Sequence, residues 1–145
     1  MIAIDLPGYG QSGRFNGDRG EILEAIIQAL VPGSKPVVLV SPSMSGTYSL
    51  PLLNRNPQLL CGYIPVAPVG TSSYPDSFFQ SLYVPTMIVY GDQDTGLGVT
   101  SSKHLSQIPT STAPQILTNS RHPAYLDQQE VWHQLIYNFM LHLQC

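Results

Sequence analysis

Residues 37–53 read VVLVSPSMSGTYSLPLL, and the reading of this stretch decides the fold. An apolar run of β-branched type stops at Val40, and a helical pattern opens near Ser45 and continues to about Asn54. Ser43 stands at the joint. A strand that turns at once into a helix holds the side chain at that joint clear of the sheet. Small residues are then needed two places to either side, because strand and helix approach closely. The usual spelling of this turn is G-x-S-x-G. Here it is S-P-S-M-S, Ser41 to Ser45, followed by Gly46, with serine replacing both glycines. Pro42 biases Ser41 toward the β region, as a strand end requires. On this reading Ser41 and Ser45 are spacers and Ser43 is a nucleophile. The competing reading is a serine-rich helix cap, with Ser43 bonded to backbone amides.

Outward from this stretch, further apolar runs at residues 2–5, 62–68, 86–92 and 114–120 join the one at 36–40 as strand candidates. They show little period-two alternation, as strands buried on both faces do. Helical periodicity lies between and after them. Residues 19–30 line up Ile22, Leu23, Ile26, Ile27 and Leu30. Residues 127–143 line up Val131, Trp132, Leu135, Ile136, Phe139, Met140 and Leu143. A shorter helix is expected over about 98–107, and residues 31–36 and 71–77 read as loops. The alternation predicts an α/β fold, a mostly parallel sheet flanked by helices, in a single domain over 1–145.

With 145 residues, six Lys and Arg and a net charge of −3, the chain lacks the basic stripe of a nucleic-acid binder. No apolar run is long enough for a membrane span, so neither nucleic acid nor membrane is expected as a partner. Cys61 and Cys145 have no metal-ligand spacing. They read as free thiols of a reducing compartment, although two cysteines leave a bridge open.

The glycines Gly8, Gly10 and Gly13 in GYGQSG spell a dinucleotide-binding turn, but its context fails. No helix starts within the motif, and no acid follows where a ribose would be held. A serine nucleophile in such a sheet needs an acid and then a histidine later in the chain. YGDQD offers Asp92 and Asp94. Asp94 is preferred because Asp92 suits the turn itself. Of four histidines, His122 follows the last strand candidate, whereas His104, His133 and His142 lie in helices as surface or cap residues. Ser43, Asp94 and His122 thus stand in the required order, each past the C-terminal end of a strand.

With these residues in place the sequence resembles the α/β-hydrolases. More narrowly it resembles the α/β-hydrolase domain-containing protein 14 family, nearest its B branch, through IDLPGYGQS, VSPSMSGTYSLPLL, IPVAPV, YGDQD, HLSQIP and RHPAYLDQQEVWHQLIYNFM. DLPGYGQS matches the D-x-P-G-x-G-x-S turn of many such enzymes, which binds no nucleotide. The resemblance implies a catalytic triad of Ser43, Asp94 and His122, with the Met44 N–H as an oxyanion donor. It implies a serine hydrolase or acyltransferase for short acyl esters or acetylated lysine. No cofactor is required, and coenzyme A is a candidate acyl acceptor. It also implies a transcription-factor subunit as partner and residence in cytoplasm and nucleus.

Two departures bear on these expectations. Arg121 replaces the family's glycine before the histidine, and its bulk and charge are expected to disturb the loop. The chain also opens at the strand of the D-x-P-G turn, so the expected fold is an α/β-hydrolase lacking the first three strands and the oxyanion loop. Residues 2–5 should then either pair with the nucleophile strand or stay poorly anchored. Loss of one oxyanion donor costs about 10²–10³ in rate, so the alternative is a catalytically silent form that retains only a protein-binding surface.

Overall fold

The structure is a computed structural model and describes residues 1–145, the Ser34 side chain excepted. Helix α1 spans Arg19–Leu30. The Asp18 carboxylate accepts the Glu21 N–H at 2.8 Å, satisfying a backbone donor that the first turn leaves without a partner. Strand β1 (Val37–Pro42) passes through a short 3₁₀ turn, Ser43–Ser45, into α2 (Gly46–Arg55). Then follow β2 (Leu60–Val66), α3 (Asp76–Gln80), β3 (Val89–Gly91), α4 (Leu97–Leu105), β4 (Gln115–Leu117) and α5 (Gln129–Met140).

The four strands form one parallel sheet in the order β1-β2-β3-β4. Parallel neighbours need crossover connections, and α2, α3 and α4 supply them. Alternate residues of the sheet feed two cores. Tyr63 and Ile88 face a cluster with Leu23, Ile27, Leu50, Leu53, Phe79 and Leu105, from the side of α1 to α4. Ile64, Val66, Met87 and Val89 face the other side, against Trp132 of α5 with Leu135, Ile136 and Phe139 packed around it. Every residue of β2 is buried, which explains why its sequence shows no alternation. Gly20 lets α1 cross α2 closely: a Cβ there would stand 2.7 Å from the Pro51 carbonyl carbon.

The α/β architecture follows the sequence reading, with differences in extent. Residues 2–5 form no strand. They face β1 across an apolar cavity of about 680 Å³ also lined by α1, rather than within hydrogen-bonding range, and a strand cannot persist without a paired neighbour. The strands expected over 86–92 and 114–120 shrink to three residues each, and ahead of β3 Thr86 makes only isolated bridges to Tyr63 and Ser111. The segment 71–77, read as a loop, contains the start of α3 at Asp76 directly after Pro75. On the helices, Leu23, Ile27 and Trp132 are buried as expected, but Leu30, Val131 and Met140 remain exposed.

The free-thiol reading of the cysteines is overturned. Cys61, at the start of β2, is disulfide-bonded to Cys145, and their Cα atoms are 5.3 Å apart. Sequence separation of 84 residues hid this pairing; α5 brings the chain end back across Gly62, where Phe139 and Leu143 lie. A cross-link closing so long a loop restricts the unfolded chain strongly. Cys145→Ser is expected to lower stability by about 2–4 kcal/mol. Urea unfolding of the variant, and of the parent with dithiothreitol, should give the same reduced midpoint.

Candidate active site

The C-terminal ends of β1, β3 and β4 deliver three side chains to one place. His122 Nε2 lies 2.7 Å from Ser43 Oγ, and His122 Nδ1 lies 2.9 Å from Asp94 Oδ2. An ionised carboxylate only accepts, so Nδ1–H donates to Asp94 and the bare Nε2 accepts the Ser43 hydroxyl proton. The Asp94 side chain is 8% exposed and that of His122 31%, so the chain of bonds runs from a shielded acid to a solvent-facing imidazole.

Ser43 owes its position to a backbone that few non-glycine residues adopt, with φ of 47°. Such a conformation costs about 1–3 kcal/mol and persists only where its surroundings hold it. Here the Ser43 carbonyl accepts the Val69 N–H at 2.8 Å. Below it, Ser41 Oγ bonds Ser49 Oγ at 2.7 Å, and Ser49 Oγ bonds the Tyr63 hydroxyl at 2.9 Å. This buried trio ties β1, α2 and β2 together under the turn. Ser41 therefore does more than the small spacer expected of it. The close approach expected at Ser45 falls one residue on: a Cβ on Gly46 would meet the backbone of Val69 and, at 2.8 Å, the Pro68 side chain.

The loops bearing Asp94 and His122 are stitched to each other. The Asp92 carboxylate accepts the backbone N–H groups of Asn119 and Ser120, each at 3.0 Å. Ser120 in turn accepts the Gln93 N–H at 3.0 Å, and Leu117 accepts that of Asp92 at 3.0 Å. Sequence reasoning gave Asp92 only a local turn; its role spans 28 residues, and nothing in its spelling distinguishes the two.

The His122 contacts form with Arg121 in the place of the family's glycine. Its guanidinium swings out to Asp127, bonding it at 3.0 and 3.2 Å while the Arg121 N–H bonds the same carboxylate at 2.9 Å. These bonds hold Asp127 below the usual carboxylate range. The His122–Pro123 peptide is cis. The Met44 N–H makes no hydrogen bond to another element among the described residues.

The other expected residues fall elsewhere. His104 stacks on Phe79 and bonds Thr71, and His142 bonds the Asn138 carbonyl near the end of α5. In the opening glycine turn, Gly8 and Gly10 adopt φ of 85° and 52°. The turn folds over Asp5, whose carboxylate accepts the Gln11 N–H at 3.0 Å and whose carbonyl accepts the Ser12 hydroxyl at 2.7 Å. Those donors are thus spent internally, and α1 begins only at Arg19. No group of three His, Cys, Asp or Glu side chains suited to a metal occurs among the described residues. No described helix is long and apolar enough to cross a membrane.

No family model matches the chain. Individual relatives do. It is 41% identical to ABHD14B of Homo sapiens, whose name describes a protein-lysine deacylase, over 150 residues covering 99% of this chain and 70% of that protein. The chain belongs to the ABHD14 family of α/β-hydrolases. It is 39% identical to ABHD14A of Danio rerio over 144 residues, 96% of this chain, and spans only about half (52%) of that protein's length. Among solved structures, a predicted CIB-like hydrolase of Thermoplasma acidophilum superposes with a TM-score of 0.83 at 24% identity, covering 94% of this chain and 69% of that one. The serine hydrolase CarC of carbazole degradation superposes at 0.79 with 16% identity, covering 94% and 77%. At such identities these two show the α/β-hydrolase fold alone. This ABHD14 chain carries that fold as the four-stranded sheet described above.

Burial pushes the Tyr63 hydroxyl up to about 12, against partial relief from Ser49 and Ser41. A raised folded-state value leaves stability intact below the unfolded phenol's ordinary range near 10 and removes it as pH rises toward 12. Tyr63→Phe is expected to be about 1 kcal/mol less stable at neutral pH through the lost bond to Ser49. It should also lose less stability than the parent between pH 10 and 12, as read by urea unfolding across that window.

Proposed function

We propose that the chain is a serine acyl hydrolase or acyltransferase. The observation carrying this reading is the unbroken relay from Asp94 through His122 to Ser43 at 2.9 and 2.7 Å. In it His122 removes the Ser43 proton as the hydroxyl oxygen attacks an acyl carbon, and Asp94 holds the imidazole in the tautomer that can do so. The Met44 N–H, free at the first turn after the nucleophile, is one donor to the oxyanion that forms. His122 then returns the proton to the departing alcohol or amine. Water, or a thiol such as coenzyme A, takes the acyl group from Ser43 in the second half.

Short acyl esters and acyl-lysine are the substrate classes. The name of human ABHD14B supports acyl-lysine, and the openness of the site around His122 supports a substrate presented on a protein surface. The seat of the Arg121 guanidinium on Asp127, away from the relay, leaves this chemistry room despite the missing glycine.

The test is labelling with a fluorophosphonate, read by intact mass. One adduct is expected on the parent and none on Ser43→Ala. His122→Ala should slow labelling by about 10³-fold or more, and Asp94→Asn by about 10²–10⁴-fold through the wrong tautomer. No adduct on a parent that unfolds cooperatively would mean a catalytically silent protein.

A further inference from the structure

A second pocket of about 290 Å³ adjoins the relay, lined by Arg14, Asn16, Arg19, Met44, Thr47 and Tyr48 among others. Met44 directly follows Ser43, so one wall of the pocket is the same turn that carries the hydroxyl. Arg14 and Arg19 both line it as well. The chain has only six Lys and Arg in all and a net charge of −3, so two of its cations at one small cavity is a marked concentration.

These two arginines differ from the other two in the chain. Arg55 is paired with Glu24 at 2.7 Å and Arg121 with Asp127 at 3.0 Å. Arg14 and Arg19 enter no ion pair among the described residues. Of the acids near them in sequence, Asp18 accepts the Glu21 N–H and Asp5 the Gln11 N–H, while Glu21 forms no ion pair with either arginine among the described residues. Arg19 is also held in place, with its guanidinium carbon 5.2 Å from the centre of the Tyr48 ring. A planar cation stacked on a ring keeps its N–H fork pointing outward for an oxyanion. The glycine turn folds over the stem of Arg14, since a Cβ on Gly8 would lie 3.9 Å from Arg14 Cγ.

We propose that this pocket is an anion subsite in which Arg14 and Arg19 bind a carboxylate or phosphate carried by the acyl-transfer substrate. Its volume suits an aromatic ring or short chain bearing one such group. The role in selecting substrate rests on the acyl-transfer reading above; the binding of the anion does not.

The two are tested separately. Ser43→Ala protein, which cannot form an acyl-enzyme, is titrated by calorimetry with benzoate, phenyl phosphate and neutral benzyl alcohol. The anions should bind and the alcohol should not. Adding Arg14→Gln and Arg19→Gln should weaken anion binding by about tenfold or more, while the corresponding Lys pair, which keeps the charge, should retain most of it. Equal binding of benzyl alcohol, or anion binding undiminished in the Gln pair, would overturn the subsite.

The parent is then assayed on matched esters. Preference for 4-acetoxybenzoate over phenyl acetate places the anion on the leaving group. Preference for monophenyl adipate over phenyl hexanoate places it on the acyl chain. Either preference in kcat/KM, reduced in the Gln pair, supports the proposal, and neither preference overturns the part concerning substrate. Anion binding in a protein that takes no fluorophosphonate would leave the subsite standing and remove the acyl-transfer reading instead.

Discussion

The turn at Ser43 governs the architecture around it. Its φ of 47° is a conformation the isolated chain avoids, so the rest of the structure must hold it there. The holding is done from three directions. Val69 bonds the Ser43 carbonyl from the exit of β2, Gly46 lets that same segment come close, and the Ser41–Ser49–Tyr63 hydroxyls lock the strand end to the helix from below. Three polar side chains in a core are costly unless each is bonded, and here each is. The placing of one hydroxyl thus depends on the whole β1-α2-β2 unit, which makes the longest run of paired residues in the sheet.

The opposite half of the site is built differently. β3 and β4 are three residues each and provide little stiffness of their own. Precision comes instead from the loops, where Asp92 gathers two backbone N–H groups of the segment leading to His122 and Ser120 returns a bond to Gln93. The two side chains that meet there, Asp94 and His122, are thereby mounted on one cross-braced unit. Arg121 fits this unit because its long side chain has somewhere to go: Asp127, six residues on, accepts both its guanidinium and its N–H.

The elements with strong local signals were legible in the sequence. The 19–30 helix has both a capping acid and an apolar stripe, and it forms over those residues. Ser43, Asp94 and His122 could be singled out because chain order and strand ends constrain them more than any single motif does. What escaped depends on partners far away in sequence. Residues 2–5 have strand composition but no neighbour to pair with, and composition says nothing about neighbours. Asp92 and Asp94 are spelled alike, and only the folded loop tells a brace from a partner of histidine. The Cys61–Cys145 bond and the hydroxyl trio under the turn are likewise contacts of the fold, silent in composition and periodicity. The close packing falls at Gly46, the first residue of α2 after the 3₁₀ turn, rather than at Ser45.

The disulfide also divides the molecule topologically. It closes a covalent ring from Cys61 to Cys145. Asp94 and His122 are inside that ring, whereas Ser43, α1 and β1 are on the open arm before it. A single backbone cut within the ring, for instance in the exposed stretch before α3, leaves the pieces joined as one molecule until the disulfide is reduced. A cut between Ser43 and Cys61 has no such safeguard and frees the arm that bears Ser43. The two halves of the relay are therefore unequally protected: its acid and histidine share a closed loop, and its hydroxyl, once the backbone between it and Cys61 is cut, is retained by noncovalent packing alone.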